Sequence, residues 1–274
     1  MMVEVLVHFV APALVGVLIG IASGLLGIGG GTVMVPIFRL AFGMSATMST
    51  ATSLFAIIPT SISGAISHVK GKTCIPALGI AAGLGGACLS PVGVWLAQLS
   101  PDWLVMLAAA LIIGYSAINM FKKAFKLRPA SQPVAEADAS ALTADDSSLS
   151  RKQLLQGAAI GLVAGLASGY VGVGGGNIMV PLMLSIIGIP MRKASGTSLI
   201  AVMILAIPGV IEQGIIGNIN YLAGIAIVIG TIPGAVIGAR LVTKVPERTL
   251  RLLFGCFLIV AAVMLVLNEV GIFG

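Results

Sequence analysis

Charged side chains are scarce in this chain of 274 residues, because Asp, Glu, Lys and Arg together supply only 9% of it. A soluble globular domain carries roughly a quarter charged residues. Hydrophobic residues make up 58% of the chain. Uncharged runs such as 73–101 and 213–239 exceed the roughly 20 residues that cross a bilayer as a helix. The composition excludes an ordinary soluble domain and predicts an all-α, polytopic membrane protein.

Cysteines and chemistry-bearing clusters are also rare. Cys74, Cys88 and Cys256 form no CxxC pair and stand in apolar surroundings, so we expect small core residues rather than metal ligands or a disulfide. The sequence offers no Ser/His/Asp set, no paired carboxylates in a plausible cleft and no His/Cys metal spacing. We therefore expect no enzyme, no metal and no cofactor.

Basic residues outnumber acidic ones 15 to 9, which gives a net charge of +6. In a membrane protein such an excess indicates a basic cytoplasmic face rather than a nucleic-acid partner. The first ten residues contain Glu4 but no Lys or Arg, so they lack the basic start of a cleaved signal peptide. We expect the first apolar segment to remain as a membrane helix.

What the sequence does contain is a duplication with an offset of 145 residues. Residues 16–36 read GVLIGIASGLLGIGGGTVMVP and residues 161–181 read GLVAGLASGYVGVGGGNIMVP, with 12 of these 21 positions identical. The chain is therefore divided into a first transmembrane repeat, 1–128, a cytoplasmic linker, 129–152, and a second transmembrane repeat, 153–274. The linker is polar and rich in Ala, Ser, Asp and Pro, which indicates a flexible surface segment.

Each repeat contains five apolar segments, so we predict about 8–10 transmembrane segments. The second segment of each repeat, 33–43 or 178–189, is about half a bilayer long and contains a proline. We expect these two segments to be broken or re-entrant helices.

Lysine and arginine set the orientation of the segments. If the linker is cytoplasmic, counting five segments back and forth places 14 of the 15 basic residues inside and only Arg39 outside. The two repeats then have inverted topology, and both termini are periplasmic. Inverted-topology repeats are typical of secondary transporters, which rock around a pseudo-two-fold axis.

A triple glycine precedes the short segment of each repeat. These glycines are Gly29, Gly30 and Gly31 in the first repeat and Gly174, Gly175 and Gly176 in the second. Irregular backbone at membrane depth is tolerated where it lines a cavity or is packed in protein. We expect Thr32 and Asn177 to cap the short helices, whose first amides and positive dipole would then face the glycines. The pattern predicts two halves of a site for a small anion, and the alternative is that the glycines only permit close packing or a sharp turn.

Hydroxyl groups open the third segment of each repeat and form a second polar cluster. The candidates for substrate hydrogen bonds are Thr52, Ser53, Thr197 and Ser198. The alternative is that these hydroxyls bond back to their own helix or pack as small residues. We interpret Ser23 and Ser168 as packing residues.

Three more residues are candidates for coupling or gating. His68 and Gln213 are equivalent in the two repeats, and Glu212 is the only acid in an otherwise apolar stretch. Ionisable groups in such stretches are functional candidates. We expect His68 at the inner interface and Glu212 near the outer one. The sequence allows a coupling proton or Na⁺, and it allows a homodimer, but it does not decide either.

The strings GIGGGTVMVP and GVGGGNIMVP, each followed by a helix that begins around a Thr-Ser pair, resemble the TauE/SafE family of sulfite and organosulfur anion transporters. The segment ATSLFAIIPTSISGAISHVKGK also resembles the first repeat of that family. The resemblance covers both repeats and implies a bacterial inner-membrane carrier, usually an exporter, for sulfite, sulfonates or related small organic anions. The alternatives are an anion channel on the same scaffold, an importer of a small carboxylate, and a membrane scaffold without transport.

Overall fold

A computed structural model of the chain describes residues 11–126 and 150–269. These residues form ten helices and no strand. The first repeat contributes α1 (Ala11–Leu26), α2 (Gly31–Phe42), α3 (Ala46–Lys70), α4 (Pro76–Leu99) and α5 (Asp102–Lys126). The second contributes α6 (Arg151–Val171), α7 (Gly176–Leu182), α8 (Met191–Ile216), α9 (Tyr221–Leu241) and α10 (Glu247–Glu269). Six of these described helices are long and apolar enough to cross a membrane, which confirms the all-α, polytopic membrane fold.

Short helices follow both triple glycines. Helix α2 has 12 residues and contains Pro36, whereas α7 has 7 residues, contains Pro181 and continues into a π-helical segment at Met183–Ile187. At 1.5 Å per residue, each stretch is about 18 Å long and covers little more than half of a bilayer core. The two short segments are therefore half-helices.

The start of α6 differs by two residues from the predicted end of the linker. Ser150 accepts a hydrogen bond from the Lys152 amide and forms a capping box with Gln153, so Arg151 and Lys152 belong to the first turn of α6. The rest of the predicted linker, 129–149, lies outside the described residues.

Helices α4 and α6 pack together through glycines. Gly161 and Gly165 of α6 lie directly against the carbonyls of Ala82 and Gly86 of α4, where an added Cβ atom would overlap the carbonyl oxygen. Small residues allow this close approach of two membrane helices. The residue numbers of the contacting pairs increase together along both helices, so the two helices are parallel.

Helices α1 and α9 repeat this interface at the offset of 145 residues. Gly16 and Gly20 of α1 lie against the carbonyls of Ile227 and Thr231 of α9, and these two helices are also parallel. The first helix of each repeat therefore packs on the fourth helix of the other repeat. The two repeats are therefore interleaved, because each one packs its first helix on the other.

Contacts of α3 and α8 fix the remaining directions. Helix α3 runs parallel to α9, α4 runs parallel to α8, and α3 runs antiparallel to α8. The contacting pairs are Phe55–Gly224, Thr60–Thr231, Gly79–Ile200, Gly86–Leu205, Gly64–Leu199 and His68–Gly196. Helices α1, α3 and α9 thus point one way, and α4, α6 and α8 point the other way. We name the two ends of the bundle the His68 end and the Gln213 end.

Carboxylates at equivalent positions hold the starts of α3 and α8. Asp102 Oδ2 accepts a hydrogen bond from the Ala46 amide at 3.1 Å, and Glu247 Oε1 accepts one from the Met191 amide at 3.2 Å. Arg39 is the one basic residue counted on the outer side. Its Nη1 atom lies 3.7 Å from Asp102 Oδ2, at the Gln213 end.

The expectation that the cysteines are core residues is wrong for two of them. Cys88 and Cys256 are exposed on the helix surface, whereas Cys74 is partly buried. An apolar sequence context does not separate core from surface here, because the outside of a membrane helix is also apolar.

The glycine interface between α4 and α6 generates a stability prediction. Replacing Gly161 with Ala places a methyl group against the Ala82 carbonyl, so we expect a loss of about 1–3 kcal/mol in the free energy of unfolding. Thermal unfolding of the purified protein in detergent measures the loss. Gly114→Ala is the matched control, because nothing lies within 4 Å of that Cβ position, and it should leave the melting temperature unchanged or raise it. Equal melting temperatures for the two variants would contradict the interface.

Candidate functional site

Left-handed glycines, rather than Thr32 and Asn177, cap the two half-helices. Gly30 has φ 86° and Gly175 has φ 68°, and each is the residue immediately before its helix. A left-handed backbone favours glycine at these positions. Thr32 and Asn177 therefore lie inside the first turn, and neither side chain caps its helix, so the predicted capping role is wrong.

The two glycine loops touch each other in the middle of the bundle. A Cβ atom on Gly31 would lie 2.8 Å from the Val173 carbonyl carbon, and one on Gly176 would lie 2.8 Å from Ile28 Cα. Both loops also contact the side chain of Ile57, halfway along α3. The loops are buried throughout, so the two predicted half-sites are adjacent and closed from both ends of the bundle.

Several polar side chains that follow or contact the two glycine loops have no hydrogen-bond partner. The Thr32 hydroxyl and both amide atoms of Asn177 are fully buried and have no hydrogen-bond partner. The Ser61 hydroxyl is also unpartnered and lies 3.2 Å from the Cβ position of Gly29. An unpartnered buried polar group costs about 1–3 kcal/mol. A set of them in one place is typical of a site that binds a polar ligand or ordered water.

Ser61 was not a candidate in the sequence. Its equivalent at the offset of 145 is Ala206, so the repeat did not mark it. Ser23 and Ser168, which the sequence assigned to packing, also have buried and unpartnered hydroxyls. The polar set is therefore larger than predicted, and it is asymmetric.

The Ser53 and Ser198 hydroxyls bond to the loop of the opposite repeat. Ser53 Oγ donates to the Gly172 carbonyl at 3.0 Å, and Ser198 Oγ donates to the Gly27 carbonyl at 2.6 Å. These are equivalent bonds at the offset of 145. In this conformation both hydroxyls hold loop backbone, and their contact with a substrate stays a prediction.

The Thr52 and Thr197 hydroxyls join helices of different repeats. Thr52 Oγ1 accepts a hydrogen bond from the Asn220 amide at 3.0 Å, and Thr197 Oγ1 accepts one from the Ile75 amide at 2.9 Å. Asn220 is the N-cap residue of α9, and Ile75 is the N-cap residue of α4. The start of a helix leaves its first N–H groups without partners in the helix, and the threonine hydroxyls supply partners here. The Thr-Ser pairs are therefore placed to hold the repeats together.

His68 is completely buried within the protein in the last turn of α3, and its expected place at the inner interface stays a prediction. Its Nε2 atom lies 2.8 Å from the Gly24 carbonyl and its Nδ1 atom lies 2.7 Å from Thr73 Oγ1. A carbonyl only accepts, so Nε2 carries a proton and donates to Gly24. The ring thus ties the end of α3 to the end of α1.

Gln213 repeats part of this arrangement at the other end of the bundle. Its Oε1 atom accepts a hydrogen bond from Asn218 Nδ2 at 2.8 Å, and Asn218 is the equivalent of Thr73. The Gln213 Nε2 atom is buried without a partner. The neighbouring Glu212 is half-buried near the end of α8, and its Oε2 atom has no hydrogen-bond partner.

The chain has several membrane-length helices, and two short helices start at glycine loops in the centre, where polar side chains lack partners. These features are typical of a multi-pass membrane protein of the transporter class. Residues 12–265 match the family described as sulfite exporter TauE/SafE, so the chain belongs to that family. Curated relatives carry transporter names. The probable membrane transporter protein YunE of Bacillus subtilis is 27% identical over 97% of this chain and 99% of its own length.

Other relatives extend across bacteria and archaea. A probable membrane transporter protein of Haemophilus influenzae is 29% identical over 93% of this chain and 97% of its own length. The probable membrane transporter protein MJ0441 of Methanocaldococcus jannaschii is 24% identical over 93% of this chain and 94% of its own length. No solved structure matches the chain.

The cross-repeat bonds generate a prediction about stability. Ser53→Ala and Ser198→Ala each leave a buried loop carbonyl without its donor, so we expect each to lower the free energy of unfolding by about 1–3 kcal/mol. Chemical or thermal unfolding in detergent measures this change. Ser185→Ala is the control, since the Ser185 hydroxyl bonds within its own helix. Losses no larger than that of the control would show that the cross-repeat bonds do not hold the loops.

The equivalence of His68 and Gln213 generates a second prediction. We expect His68→Gln to retain both the fold and transport, because an amide can donate to Gly24 and accept from Thr73 as the imidazole does. His68→Leu should lose about 1–3 kcal/mol in unfolding free energy. Melting curves and flux against pH for both variants separate a structural clasp from a proton carrier. A stable His68→Gln variant that loses transport would identify the imidazole as the coupling group.

Proposed function

We propose that this chain is a secondary transporter that exports small sulfur-containing anions, such as sulfite or alkylsulfonates, across the bacterial inner membrane by alternating access. The observation that supports this most strongly is the set of buried, unpartnered polar side chains around the two glycine loops. A polar centre in a membrane protein is costly when nothing binds there. An anion that binds there during part of the cycle offsets that cost.

The donors at this centre suit an oxyanion. The Thr32 and Ser61 hydroxyls and the Asn177 amide nitrogen can all donate, and the first turns of α2 and α7 add backbone N–H groups and positive dipole. Sulfite and sulfonates present three oxygens on one sulfur, so several donors can bind one ligand. The side-chain atoms nearest to the Cβ positions of these glycines belong to aliphatic residues, Met34, Ser23 and Ser61, so no carboxylate among them repels an anion.

Alternating access requires two gates that open in turn. The helix directions and the exchanged glycine interfaces support inverted repeats, because α1 and its equivalent α6 point in opposite directions. The His68 clasp lies at one end and the Gln213 clasp at the other. Release of one clasp opens the central site to one side while the other clasp keeps it closed.

The orientation follows from the basic residues. The described lysines and arginines other than Arg39 lie in helix ends or in connecting turns at the His68 end, so we propose that this end is cytoplasmic. A membrane potential that is negative inside then drives the outward movement of an anion. This is worth about 2.3 kcal/mol per charge for each 100 mV.

Flux into proteoliposomes tests the function. We expect labelled sulfite or taurine-type sulfonates to enter by a saturable process that shows counterflow, and formate or acetate to compete weakly. Currents that do not saturate would indicate a channel on the same scaffold. A preference for carboxylates would support the importer alternative, and the absence of saturable flux for every sulfur anion would contradict the proposal.

Isosteric variants test the central site itself. Thr32→Val and Asn177→Leu remove unpartnered polar atoms with little change in volume, so we expect both variants to melt at or above the wild-type temperature. Each should abolish saturable flux, since each removes one of the few side-chain donors that would bind the anion. Flux and melting temperature are measured on the same preparations. A stable variant that transports at the wild-type rate would show that the replaced residue does not bind the anion.

A further inference from the structure

A basic cleft lies between the ends of α3 and α9, away from the glycine loops. Its volume is about 580 Å³, and its lining includes Lys70 and Arg240 together with the hydroxyl-bearing residues Ser67 and Thr243. Lys70 is the last residue of α3, and Arg240 is in the last turn of α9. The cleft therefore opens at the His68 end of the bundle.

The two cations in this cleft have no carboxylate partner among the described residues. The hydroxyls are already used as donors, because Ser67 Oγ bonds to the Ser63 carbonyl at 3.2 Å and Thr243 Oγ1 bonds to the Arg240 carbonyl at 3.1 Å. The lysine and the guanidinium are thus the groups available to bind a ligand. They favour an anion, and a phosphate oxygen pair suits the guanidinium fork.

Helices α3 and α9 are joined by hydrogen bonds closer to the middle of the bundle than Lys70 and Arg240 are. Thr60 Oγ1 and Thr231 Oγ1 are hydrogen-bonded at 2.6 Å, and Ser63 Oγ donates to the Ile232 carbonyl at 2.8 Å. Both bonds join α3 to α9. None of the six loop glycines lines the cleft, so the cleft is a different place from the candidate site.

Exposed aliphatic side chains border the opening. Ile66 and Val69 on α3 are about half exposed, and Ile232 and Ile237 on α9 are exposed to a similar degree. Ile66 and Val236 also line the cleft. A ligand there meets two cations at the helix ends and aliphatic surface next to them, which matches a phospholipid headgroup and the start of its acyl chains.

The same position in the other half of the molecule has the opposite character. At the offset of 145 residues Lys70 corresponds to Ile215 and Arg240 corresponds to Trp95, both of which are exposed. The helix packing therefore does not by itself produce the cleft's charge. The pair of cations is specific to the His68 end.

We propose that this cleft binds one anionic phospholipid, with its phosphate between Lys70 and Arg240 and its acyl chains against Ile66 and Val236. Helices α3 and α9 belong to different repeats, so the bound lipid links the two repeats at this end. Basic pockets between transmembrane helices are a known form of lipid site.

Lipid titration of the purified protein, read by native mass spectrometry and by melting temperature, tests the proposal. We expect phosphatidylglycerol to bind at one saturable site and to raise the melting temperature, and phosphatidylcholine with the same chains not to do so. The double variant K70Q/R240Q should lose about 30-fold in affinity, because each cation near an anionic headgroup is worth about 1 kcal/mol.

Two further variants and a soluble anion complete the test. K122Q/R151Q removes two exposed charges at the same end and should bind lipid as the wild type does, whereas K70R/R240K keeps both charges and should retain the site. An equal loss in K122Q/R151Q would overturn the proposal in favour of general charge attraction. Competition by millimolar inorganic phosphate as strong as that by phosphatidylglycerol would overturn it in favour of a free-anion site.

Discussion

The close approach of helix backbones at the two glycine interfaces is the contact on which the rest of this structure depends. Carbonyls of α4 and α9 lie where side chains of α6 and α1 would otherwise be, and only glycine leaves that space. Because each interface joins one repeat to the other, neither repeat can bury its first helix alone. The same exchange brings the loop after α1 and the loop after α6 to one place beside Ile57.

Broken helices in a membrane need partners for their backbone, and here each repeat supplies them to the other. Ser53 and Ser198 bond to carbonyls of the opposite loop, and Thr52 and Thr197 bond to amides at opposite helix starts. Beside the loops, the side chains of Thr32, Ser61 and Asn177 stay unpartnered. This division between paired and unpaired groups is what makes the centre a candidate anion site in a TauE/SafE protein.

Much of the fold could be predicted from the sequence, because charge-free runs and the repeat predict five apolar segments in each repeat, and five helices are described in each. The partners of hydroxyls could not be predicted. Ser53 and Ser61 lie on the same helix, yet one is bonded across the repeats and the other is not, and only tertiary packing decides this. Cys88 was misplaced because the lipid-facing surface and the core of a membrane protein are equally apolar, and the sequence did not show that the His68 side chain is fully buried between α1 and α3.

The central claim is that the two loops form one anion site rather than two. Calorimetric titration of the purified wild-type protein with sulfite measures the number of anions bound to each chain. This account predicts one saturable site per chain, and loss of that site in Thr32→Val and in Asn177→Leu separately, since both repeats contribute donors. Two equivalent sites per chain, or a single site that survives both substitutions, would contradict it.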